Sequence, residues 1–550
     1  MVTLLRPKNN GEKIMMNERD TTKEKKSVHT GSVHYSPVVE EIITAQGAQG
    51  DRLRQRCEEP FAVVVMGATG DLTARKLMPA FYRLYLNGAL PDCFTIIGCG
   101  RTDLSDDAFR TRMESALREF VRESETEAFE SIGGFLSRLH YHRIAGGGEE
   151  GEKREYEHLA ELLERQRHKN GTVGNKLFYL ALPPSRYGPT VQRLGEAGLA
   201  VQDTEGKQWS RLIIEKPFGH DLESAMALNE QIHDYFGEHQ IYRIDHYLAK
   251  ETVQNILMFR FANSIFEPIW NRQFIERVQV RALESVGVHY RAQYYEGSGV
   301  IRDMFQNHMM QLLAMIGMEP PSVFDSEHVR DEKVKLYRAL RPFPTDRLTE
   351  NLVLGQYSEG EIMGEMVRAY RREEGVNPTS DTPTYAKMRV FLDNWRWQGV
   401  PFYMESGKRL AKKITDIIID FKTVPHSMFK AFMEEAIQGN RLVLSIYPDE
   451  GITLTFKVKK PGIGIALRTV KMDVDYYTSD EEPRLDAYER VLLDCMIGDQ
   501  TLFWRQDGVE ACWSFLSPIV SKCEECAVRE KLLSFYPAGS SGPEWTGNVS

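Results

Sequence analysis

The sequence predicts two architectures in one chain: an α/β domain with a parallel sheet, followed by an α+β domain with a large, mostly antiparallel sheet. Short apolar runs alternate with helical patterns up to about residue 243, as in a sheet covered by helices on both faces. A glycine-containing turn follows the first of these runs. After about residue 260, several runs alternate apolar and polar residues, which is typical of an antiparallel sheet with one covered face.

The length of 550 residues is too great for one ordinary core, so we expect several domains. The first segment is polar and aperiodic, which is typical of disorder, and the last is rich in glycine and serine. We therefore expect a disordered N-terminal extension at 1–58, an α/β domain at 59–243, an α+β domain at 244–540 and a loose tail at 541–550.

Composition narrows the class of protein. The formal net charge of −10 argues against a nucleic-acid partner, so any pocket for an anion has to be locally positive. No apolar run approaches the roughly 18 residues that a membrane span needs, and the first ~55 residues contain no apolar signal segment. The seven cysteines are too few for a disulfide framework, and Cys523 and Cys526 have no second ligand pair nearby for zinc. We expect a cytoplasmic protein without a metal or a membrane partner.

A nucleotide site is indicated at the start of the α/β domain. The apolar run Phe61–Met66 predicts a buried strand, and a helical pattern extends from about Thr73 to Leu86. Between them, Gly67 and Gly70 would let the backbone approach a pyrophosphate at the helix N-terminus, as in a Rossmann-like coenzyme domain. The turn has the spacing G-x-x-G, so a tight turn without a ligand would look the same.

The choice between NAD and NADP depends on the next strand. The predicted strand Phe94–Gly98 leads to Arg101, where NAD-binding units tend to carry an acid for the ribose 2′-hydroxyl. An arginine suits a 2′-phosphate, which favours NADP, and Arg75 or Lys76 could assist. The alternative is a surface arginine at a strand end.

The stretch Arg243–Glu251 concentrates polar side chains at the junction of the two domains. If the residues from 245 onward are helical, His246 and Lys250 stand at i and i+4 on one face. Two such heads suit a phosphate, while Asp245 points elsewhere. The alternative is a solvated helix start with Asp245 near the N-cap.

A candidate base lies in a second predicted helix, within 299–311. His308 shares a face with Met304, so a satisfied core histidine is one interpretation. Asp303 lies about 140° around the helix from His308, so these two do not form a simple pair on one face. A carboxylate partner has to come from another segment, and Asp245 is the obvious candidate. Lys216 ends a strand at the edge of the sheet where ligands bind, and could bridge cofactor and substrate.

These motifs occur in a specific order. Together they resemble the glucose-6-phosphate dehydrogenase family over roughly residues 60 to 540. The Arg243–Glu251 block is the most specific and the glycine turn the least. The motifs in chain order are Gly67-Ala-Thr-Gly-Asp-Leu72, Glu215-Lys-Pro-Phe-Gly219, Arg243-Ile-Asp-His-Tyr-Leu-Ala-Lys-Glu251, Ile301-Arg-Asp-Met-Phe-Gln-Asn-His308 and Glu405-Ser-Gly-Lys-Arg-Leu410.

The resemblance implies a role for each matching residue. His308 would be the general base for the C1 hydroxyl, and Asp245 would stabilise the imidazolium that forms. The residues implied for the 6-phosphate are His246, Tyr247, Lys250 and Lys413. Those implied for the sugar oxygens are Lys216, Glu284, Asp303 and Lys408. Those implied for the coenzyme are Gly67, Thr69, Gly70, Asp71, Lys76, Arg101, Tyr187 and Lys216.

The implied activity is oxidation of D-glucose 6-phosphate to 6-phospho-D-glucono-1,5-lactone with hydride transfer to NADP, the first step of the oxidative pentose phosphate pathway. A homodimer or homotetramer is implied as well. Some members of the family bind a second, structural NADP, but Glu405 and Ser445 stand where arginines would contact it, so we expect that site to be absent or weak.

Two alternatives belong to other classes. An NADP-dependent oxidoreductase of an unphosphorylated sugar would not need the cluster His246, Tyr247 and Lys250. A non-catalytic NADP-binding sensor would not need Asp245 and His308 together.

Overall fold

A computed structural model describes residues 56–121, 131–146, 148–170, 174–201, 208–429, 437–476 and 485–545. The predicted N-terminal extension therefore lies outside the described residues except for 56–58, and so do residues 546–550 of the predicted tail. No helix among the described residues is both long and apolar enough to cross a membrane.

The first sheet has six strands, and every neighbouring pair is parallel. Its spatial order is β3-β2-β1-β4-β5-β6, so the chain reverses direction across the sheet between β1 and β4. Both of these strands are buried along their whole length. The strands are β1 (Phe61–Met66), β2 (Phe94–Gly100), β3 (Leu139–Arg143), β4 (Asn175–Leu180), β5 (Ser210–Ile214) and β6 (Ile241–Arg243).

Helices connect these strands, as the alternating pattern predicts. The helical pattern after the glycine turn begins as a π-helical turn, Thr73–Leu77, and continues as an α-helix. The α-helices are α1 (Met78–Leu86), α2 (Asp106–Phe120), α3 (Ile132–Leu136), α4 (Glu149–Asn170), α5 (Tyr187–Glu196) and α6 (Leu222–His233). Single 3₁₀ turns occur at Pro184–Arg186, Glu238–Gln240, Glu267–Ile269, His289–Arg291 and Tyr370–Arg372.

The second sheet has nine strands in the order β16-β15-β14-β13-β7-β12-β11-β8-β17. Two neighbouring pairs, β7 with β12 and β8 with β17, are parallel, and the others are antiparallel. The predicted large, mostly antiparallel sheet is therefore confirmed, and its two parallel pairs make it mixed. Its strands, with the separate hairpin β9–β10, are β7 (Ile275–Leu283), β8 (Leu352–Ser358), β9 (Gly360–Ile362), β10 (Glu365–Val367), β11 (Tyr385–Val390), β12 (Phe402–Gly407), β13 (Ile414–Phe421), β14 (Arg441–Tyr447), β15 (Gly451–Lys459), β16 (Leu467–Asp475) and β17 (Leu533–Pro537).

The helices of this half include one long helical region that is not continuous. Gly299, with φ of 59° and ψ of 178°, breaks it, and a π-helix at Ile301–Met309 follows. The α-helices are α7 (Glu251–Phe261), α8 (Ala292–Val300), α9 (Met310–Gly317), α10 (Ser326–Arg338), α11 (Leu348–Asn351), α12 (Ala487–Ile497), α13 (Gln506–Glu524) and α14 (Cys526–Leu532).

Helices α12 and α13 return to the first half of the chain and hold it. Arg83 of α1 pairs with Glu489 of α12 at 3.3 Å. The amide N–H of Leu222, at the start of α6, donates to the Ser517 hydroxyl of α13 at 3.0 Å. The end of β6 also contacts a segment from far along the chain, because Trp504 forms a β-bridge with Arg243.

Candidate active site

A cavity of about 570 Å³ lies at the carboxyl ends of β1, β2 and β4. This is the edge of a doubly wound sheet where ligands bind, next to the point at which the strand order reverses. Its walls include Gly67, Thr69, Gly70 and Arg101, which are four of the predicted coenzyme residues.

The glycine turn has a shape that only glycine permits at its first position. Gly67 has a φ of 91°, and a Cβ on it would stand 2.1 Å from the Ala181 carbonyl oxygen. The Gly70 amide donates to the Gly67 carbonyl at 3.0 Å, and Arg112 of α2 donates to the Thr69 carbonyl at 2.7 Å. These hydrogen bonds keep the turn tight. Because Gly67 has no side chain, a pyrophosphate can approach the backbone of the turn closely.

The other predicted coenzyme residues lie away from the walls of this cavity. Asp71 and Lys76 are exposed on the helical turn that follows the glycines. Tyr187 is buried, and its hydroxyl donates to the Glu215 carbonyl at 3.0 Å. Lys216 lies beside the histidine discussed below.

Part of the cavity wall was missed from the sequence. Ile144, Ala145 and Gly146 follow β3, which was not recognised because histidines interrupt its apolar pattern. The glycine-rich stretch just after them was the signal that could have found this wall. Further missed wall residues are Thr102, Glu152, Tyr156, Arg186 and Thr190.

The prediction of a helix from residue 245 onward is wrong. Residues 246–249 form turns, and α7 begins at Glu251 with Lys250 as an extended N-cap. The Asp245 carboxylate explains the difference, because its Oδ1 accepts the Tyr247 amide N–H at 2.9 Å and so stabilises a turn instead of a helix. His246 and Lys250 are therefore not related by helical spacing.

The turn directs the Asp245 carboxylate towards His308. Asp245 Oδ1 lies 2.6 Å from His308 Nδ1, and both side chains are buried. The His308 ring stacks on the Tyr247 ring at 4.1 Å and meets the His246 ring edge-on at 4.7 Å. The orientation of His308 is thus set by three residues of the 243–251 stretch.

Lys216 faces the other nitrogen of this histidine. Its ammonium lies 3.0 Å from His308 Nε2 and donates to the Asp303 carbonyl and carboxylate at 3.0 and 3.1 Å. An ammonium offers only donors, so Nε2 must carry the lone pair and Nδ1 must donate its proton to Asp245. The contacts therefore assign His308 as the neutral tautomer with a free base at Nε2.

The candidate sugar-binding residues alternate in charge around this nitrogen. The Lys408 ammonium pairs with Glu284 and lies 4.0 Å from Asp303 Oδ2. Asp303 in turn pairs with Lys216. The structure thus brings together all four residues, three from just after β5, β7 and β12 and one from the π-helix, as a set of donors and acceptors suited to several hydroxyl groups.

Two further ammonium groups, those of Lys250 and Lys413, lie around the Tyr447 ring. Lys250 Nζ is 4.5 Å from the Tyr247 ring centre and 5.8 Å from that of Tyr447. Lys413, just before β13, lies 4.4 Å from the same Tyr447 ring. Burial lowers the pKa of Lys250, with Lys413 acting in the same direction while Glu450 opposes. A bound anion would relieve this mutual repulsion.

The electrostatics of the buried residues support the same protonation states. Burial works against ionisation of Asp245, but His308 and His246 lower its pKa to about 2. Burial lowers the pKa of His308 although Asp245 opposes it, and burial also lowers the pKa of His246. For Lys216, Asp303 raises the pKa against the effect of burial. At neutral pH the group thus combines a carboxylate, neutral imidazoles and an ammonium.

A metal is a poor fit to this group. Asp245, His246 and His308 have potential ligand atoms within 4.8 Å of one another. However, Asp245 and the Lys216 ammonium already engage the two nitrogens of His308, and a neighbouring ammonium repels a cation.

A doubly wound sheet with a narrow glycine turn, in a chain that also buries a histidine paired with a carboxylate, is typical of a nucleotide-dependent oxidoreductase. Residues 64–255 match the family model for the NAD binding domain of glucose-6-phosphate dehydrogenase, and residues 257–549 match the model for its C-terminal domain. The chain belongs to the glucose-6-phosphate dehydrogenase family.

Similar proteins agree with this assignment. The glucose-6-phosphate 1-dehydrogenase of Aggregatibacter actinomycetemcomitans is 46% identical over 485 residues, which cover 88% of this chain and 94% of the relative. That of Bacillus subtilis (strain 168) is 42% identical, covering 88% and 96%. A solved structure of glucose-6-phosphate dehydrogenase in complex with its substrate glucose-6-phosphate has a TM-score of 0.80 at 34% identity, covering 89% of this chain and 96% of that one.

Proposed function

We propose that this chain oxidises D-glucose 6-phosphate to 6-phospho-D-glucono-1,5-lactone and transfers the hydride to NADP. The observation that carries the proposal is the position of Tyr247, whose ring contacts both His308 and Lys250. A base for the sugar carbon and one of the two ammonium groups proposed for the phosphate thereby contact the same side chain. The family membership supports the same reaction.

His308 is the proposed general base. Its Nε2 lone pair takes the proton of the C1 hydroxyl as the hydride leaves that carbon. Asp245 holds Nδ1–H and stabilises the imidazolium that forms, since the carboxylate stays ionised well below neutral pH. Before this transfer, Lys216 exchanges its contact with Nε2 for one with a sugar oxygen, which frees the lone pair.

The residues that bind the 6-phosphate are proposed to orient the sugar. His246, Tyr247, Lys250 and Lys413 are the proposed contacts of the 6-phosphate, and Lys216, Glu284, Asp303 and Lys408 those of the hydroxyl groups. Binding at a distance from C1 reduces the orientational freedom that the reaction would otherwise have to overcome. A neutral sugar has no group that would match the two ammonium groups.

The coenzyme is proposed to lie in the cavity of the first sheet. Gly67, Thr69 and Gly70 fit a pyrophosphate, because a Cβ at Gly67 would collide with the backbone. Arg101, exposed at the end of β2, is the proposed partner of the 2′-phosphate. When bound, NADP supplies the hydride acceptor. Asp71, Lys76, Tyr187 and Lys216 remain weaker candidates for coenzyme contacts, since they lie outside the cavity wall.

The nine-stranded sheet is the proposed subunit interface of a homodimer or homotetramer. Its outer strand β16 is exposed along most of its length, and Met472 and Val474 are more than half exposed. Exposed edge strands with apolar side chains are unfavourable unless they are covered. Size-exclusion chromatography with light scattering tests this by measuring the molar mass of the wild type and of Met472→Lys and Val474→Lys, which should weaken the assembly. A monomeric wild type would contradict the proposed interface.

The test of the reaction is NADP reduction followed at 340 nm with glucose 6-phosphate, glucose and each coenzyme in turn. We expect turnover with glucose 6-phosphate and NADP, and at least a hundredfold lower kcat/KM with glucose. Equal rates on both sugars would favour the oxidoreductase of an unphosphorylated sugar. No turnover with any pair, despite NADP binding, would favour the sensor.

A further inference from the structure

The second oxygen of Asp245 has no partner that the proposed mechanism uses. Oδ1 accepts from His308 and from the Tyr247 amide, whereas Oδ2 is fully buried and has no hydrogen-bond partner within the described part of the chain. A buried charged oxygen without a partner is unfavourable, so native structures rarely leave one unsatisfied.

The Lys333 ammonium is also buried without a hydrogen-bond partner among the described residues. Lys333 of α10 is 3% exposed, and its Nζ has no hydrogen-bond partner among the described residues. Its Nζ lies 5.9 Å from the centre of the Trp504 ring. Burial lowers the pKa of Lys333 to about 7, Arg330 acts in the same direction, and Asp245 is the carboxylate that opposes the shift. The two unpaired charges therefore interact electrostatically.

Contacts among neighbouring residues link the surroundings of Lys333 to the segments that carry Asp245 and His308. Trp504 forms a β-bridge with Arg243, two residues before Asp245, and its amide donates to the Arg243 carbonyl at 3.2 Å. Tyr337, one turn after Lys333, stacks on Trp504 at 5.5 Å. Its hydroxyl donates to Gln311 at 3.3 Å, and Gln311 lies one helical turn after His308.

The buried polar atoms around Lys333 and Asp245 that lack partners include both donors and an acceptor. Lys333 Nζ, Gln311 Nε2, Trp504 Nε1 and Arg330 Nη1 are buried donors without a hydrogen-bond partner in the described ranges. Asp245 Oδ2 is an acceptor in the same state. Buried water typically makes about three hydrogen bonds to such groups, which would otherwise be costly to bury.

We propose that a buried water site joins Asp245 Oδ2 to Lys333 Nζ, and that Lys333 is a positioning residue that holds the Asp245 carboxylate oriented and charged behind His308. This inference rests on the proposed role of Asp245 and His308. Lys333 touches neither sugar nor coenzyme in it; it acts through Asp245.

The charged groups around the cluster determine the sign of the expected effect. Arg330, Arg505, Cys512 and Asp245 act on Lys333. Those acting on His308 are Asp245, Lys216 and Asp303. Removing the Lys333 charge makes the surroundings of the pair more negative, which raises the pKa of both Asp245 and His308. The acid limb of the pH profile of kcat/KM should therefore move to higher pH.

The test compares Lys333→Met with Lys333→Arg in the full-length protein. We expect the acid limb of the methionine variant to move up by about half a pH unit or more, and its kcat to fall several-fold with both KM values changed less than twofold. In the arginine variant, the acid limb should stay at the wild-type pH because arginine keeps the positive charge. Lys335→Met, on the exposed face of the same helix, is the matched control and should match the wild type.

A purely structural role would lower the melting temperature without moving the limb, so an unmoved limb in a folded Lys333→Met variant overturns the proposal. If that variant does not fold, a crystal structure of the wild type decides: we expect ordered water within hydrogen-bond distance of Asp245 Oδ2 and Lys333 Nζ, and a dry contact overturns it. A wild type inactive on glucose 6-phosphate would contradict the proposed function instead, and the crystallographic result would still stand by itself.

Discussion

Asp245 Oδ1 and His308 Nδ1 lie 2.6 Å apart although 63 positions separate the two residues in the chain. The pair joins the turn after β6 to the π-helix at Ile301–Met309, so it couples the two halves of the molecule at the proposed reaction centre. Asp303, which is much nearer to His308 in sequence, pairs with Lys216 instead. The pairing leads to the first two predictions.

Replacing His308 with Asn should abolish most turnover. The amide cannot accept the C1 proton as imidazole does, so we expect kcat to fall by roughly a hundred- to ten-thousandfold. The KM for glucose 6-phosphate should change little, because phosphate contacts remain. His328→Asn, at an exposed histidine on α10, is the control and should be fully active. Normal turnover in a folded His308→Asn variant would show that another residue is the base.

Replacing Asp245 with Asn should lower kcat by roughly a hundredfold and shift the pH profile. Asp245 raises the pKa of His308, so its loss lowers that pKa and moves the acid limb of kcat/KM to lower pH. The direction is opposite to that expected for Lys333→Met, and the two variants measured over pH 5 to 9 check each other. A limb at the wild-type position would contradict direct coupling between the two side chains.

Replacing Lys250 with Ala should weaken binding of the phosphorylated sugar selectively. Loss of one charged contact is expected to raise the KM for glucose 6-phosphate roughly 10- to 100-fold and leave the KM for NADP within twofold. Lys412→Ala is the control, because Lys412 is an exposed lysine beside Lys413 that is not among the proposed phosphate contacts. Equal changes in both KM values would place Lys250 outside the phosphate site.

Replacing Arg243 with Met should destabilise the fold. Arg243 is buried and donates to Glu238 at 2.7 Å and to Asn229 at 3.0 Å, so its loss removes the arginine partner of the Glu238 carboxylate. We expect the free energy of unfolding to fall by about 3 kcal/mol or more, measured by urea titration. Arg118→Met, in an exposed pair on α2, should cost less than about 1 kcal/mol.

The same pair gives a pH dependence of stability. Burial works to raise the pKa of Glu238, but Arg243 and His233 lower it to about 2 from an ordinary value of 4.5. The folded state therefore binds fewer protons than the unfolded state between these values. The stabilisation that ionised Glu238 gives the folded state is complete above pH 4.5 and is lost as the pH falls towards about 2. In Arg243→Met this loss should be much smaller; an unchanged loss would contradict the assignment.

The sequence could predict elements whose signals are local. Phe61–Met66 and Phe94–Gly98 were recognised as strands, because a buried parallel strand needs only a short apolar run between turn residues. β3 was missed, since His140 and His142 interrupt such a run and only pairing with β2 makes it a strand. β17 was missed as well, because it exists as the edge partner of β8.

The candidate site divides in the same way. Arg243–Glu251 was selected from its residue types alone, which already indicated a phosphate site and a carboxylate, Asp245, that pairs elsewhere. The helix predicted for it was wrong, because the Asp245 side chain competes locally for the Tyr247 amide, and a period of 3.6 residues does not register that competition.

The sequence by itself thus determined which chemical groups the protein has, the glycine turn and the two kinds of sheet, because these depend on residues a few positions apart. Only the tertiary structure decided which nitrogen of His308 carries the lone pair, where Lys413 lies, and that Lys333 is buried without a hydrogen-bond partner among the described residues. These contacts join segments tens to hundreds of residues apart, and the order of strands in the two sheets sets their distances.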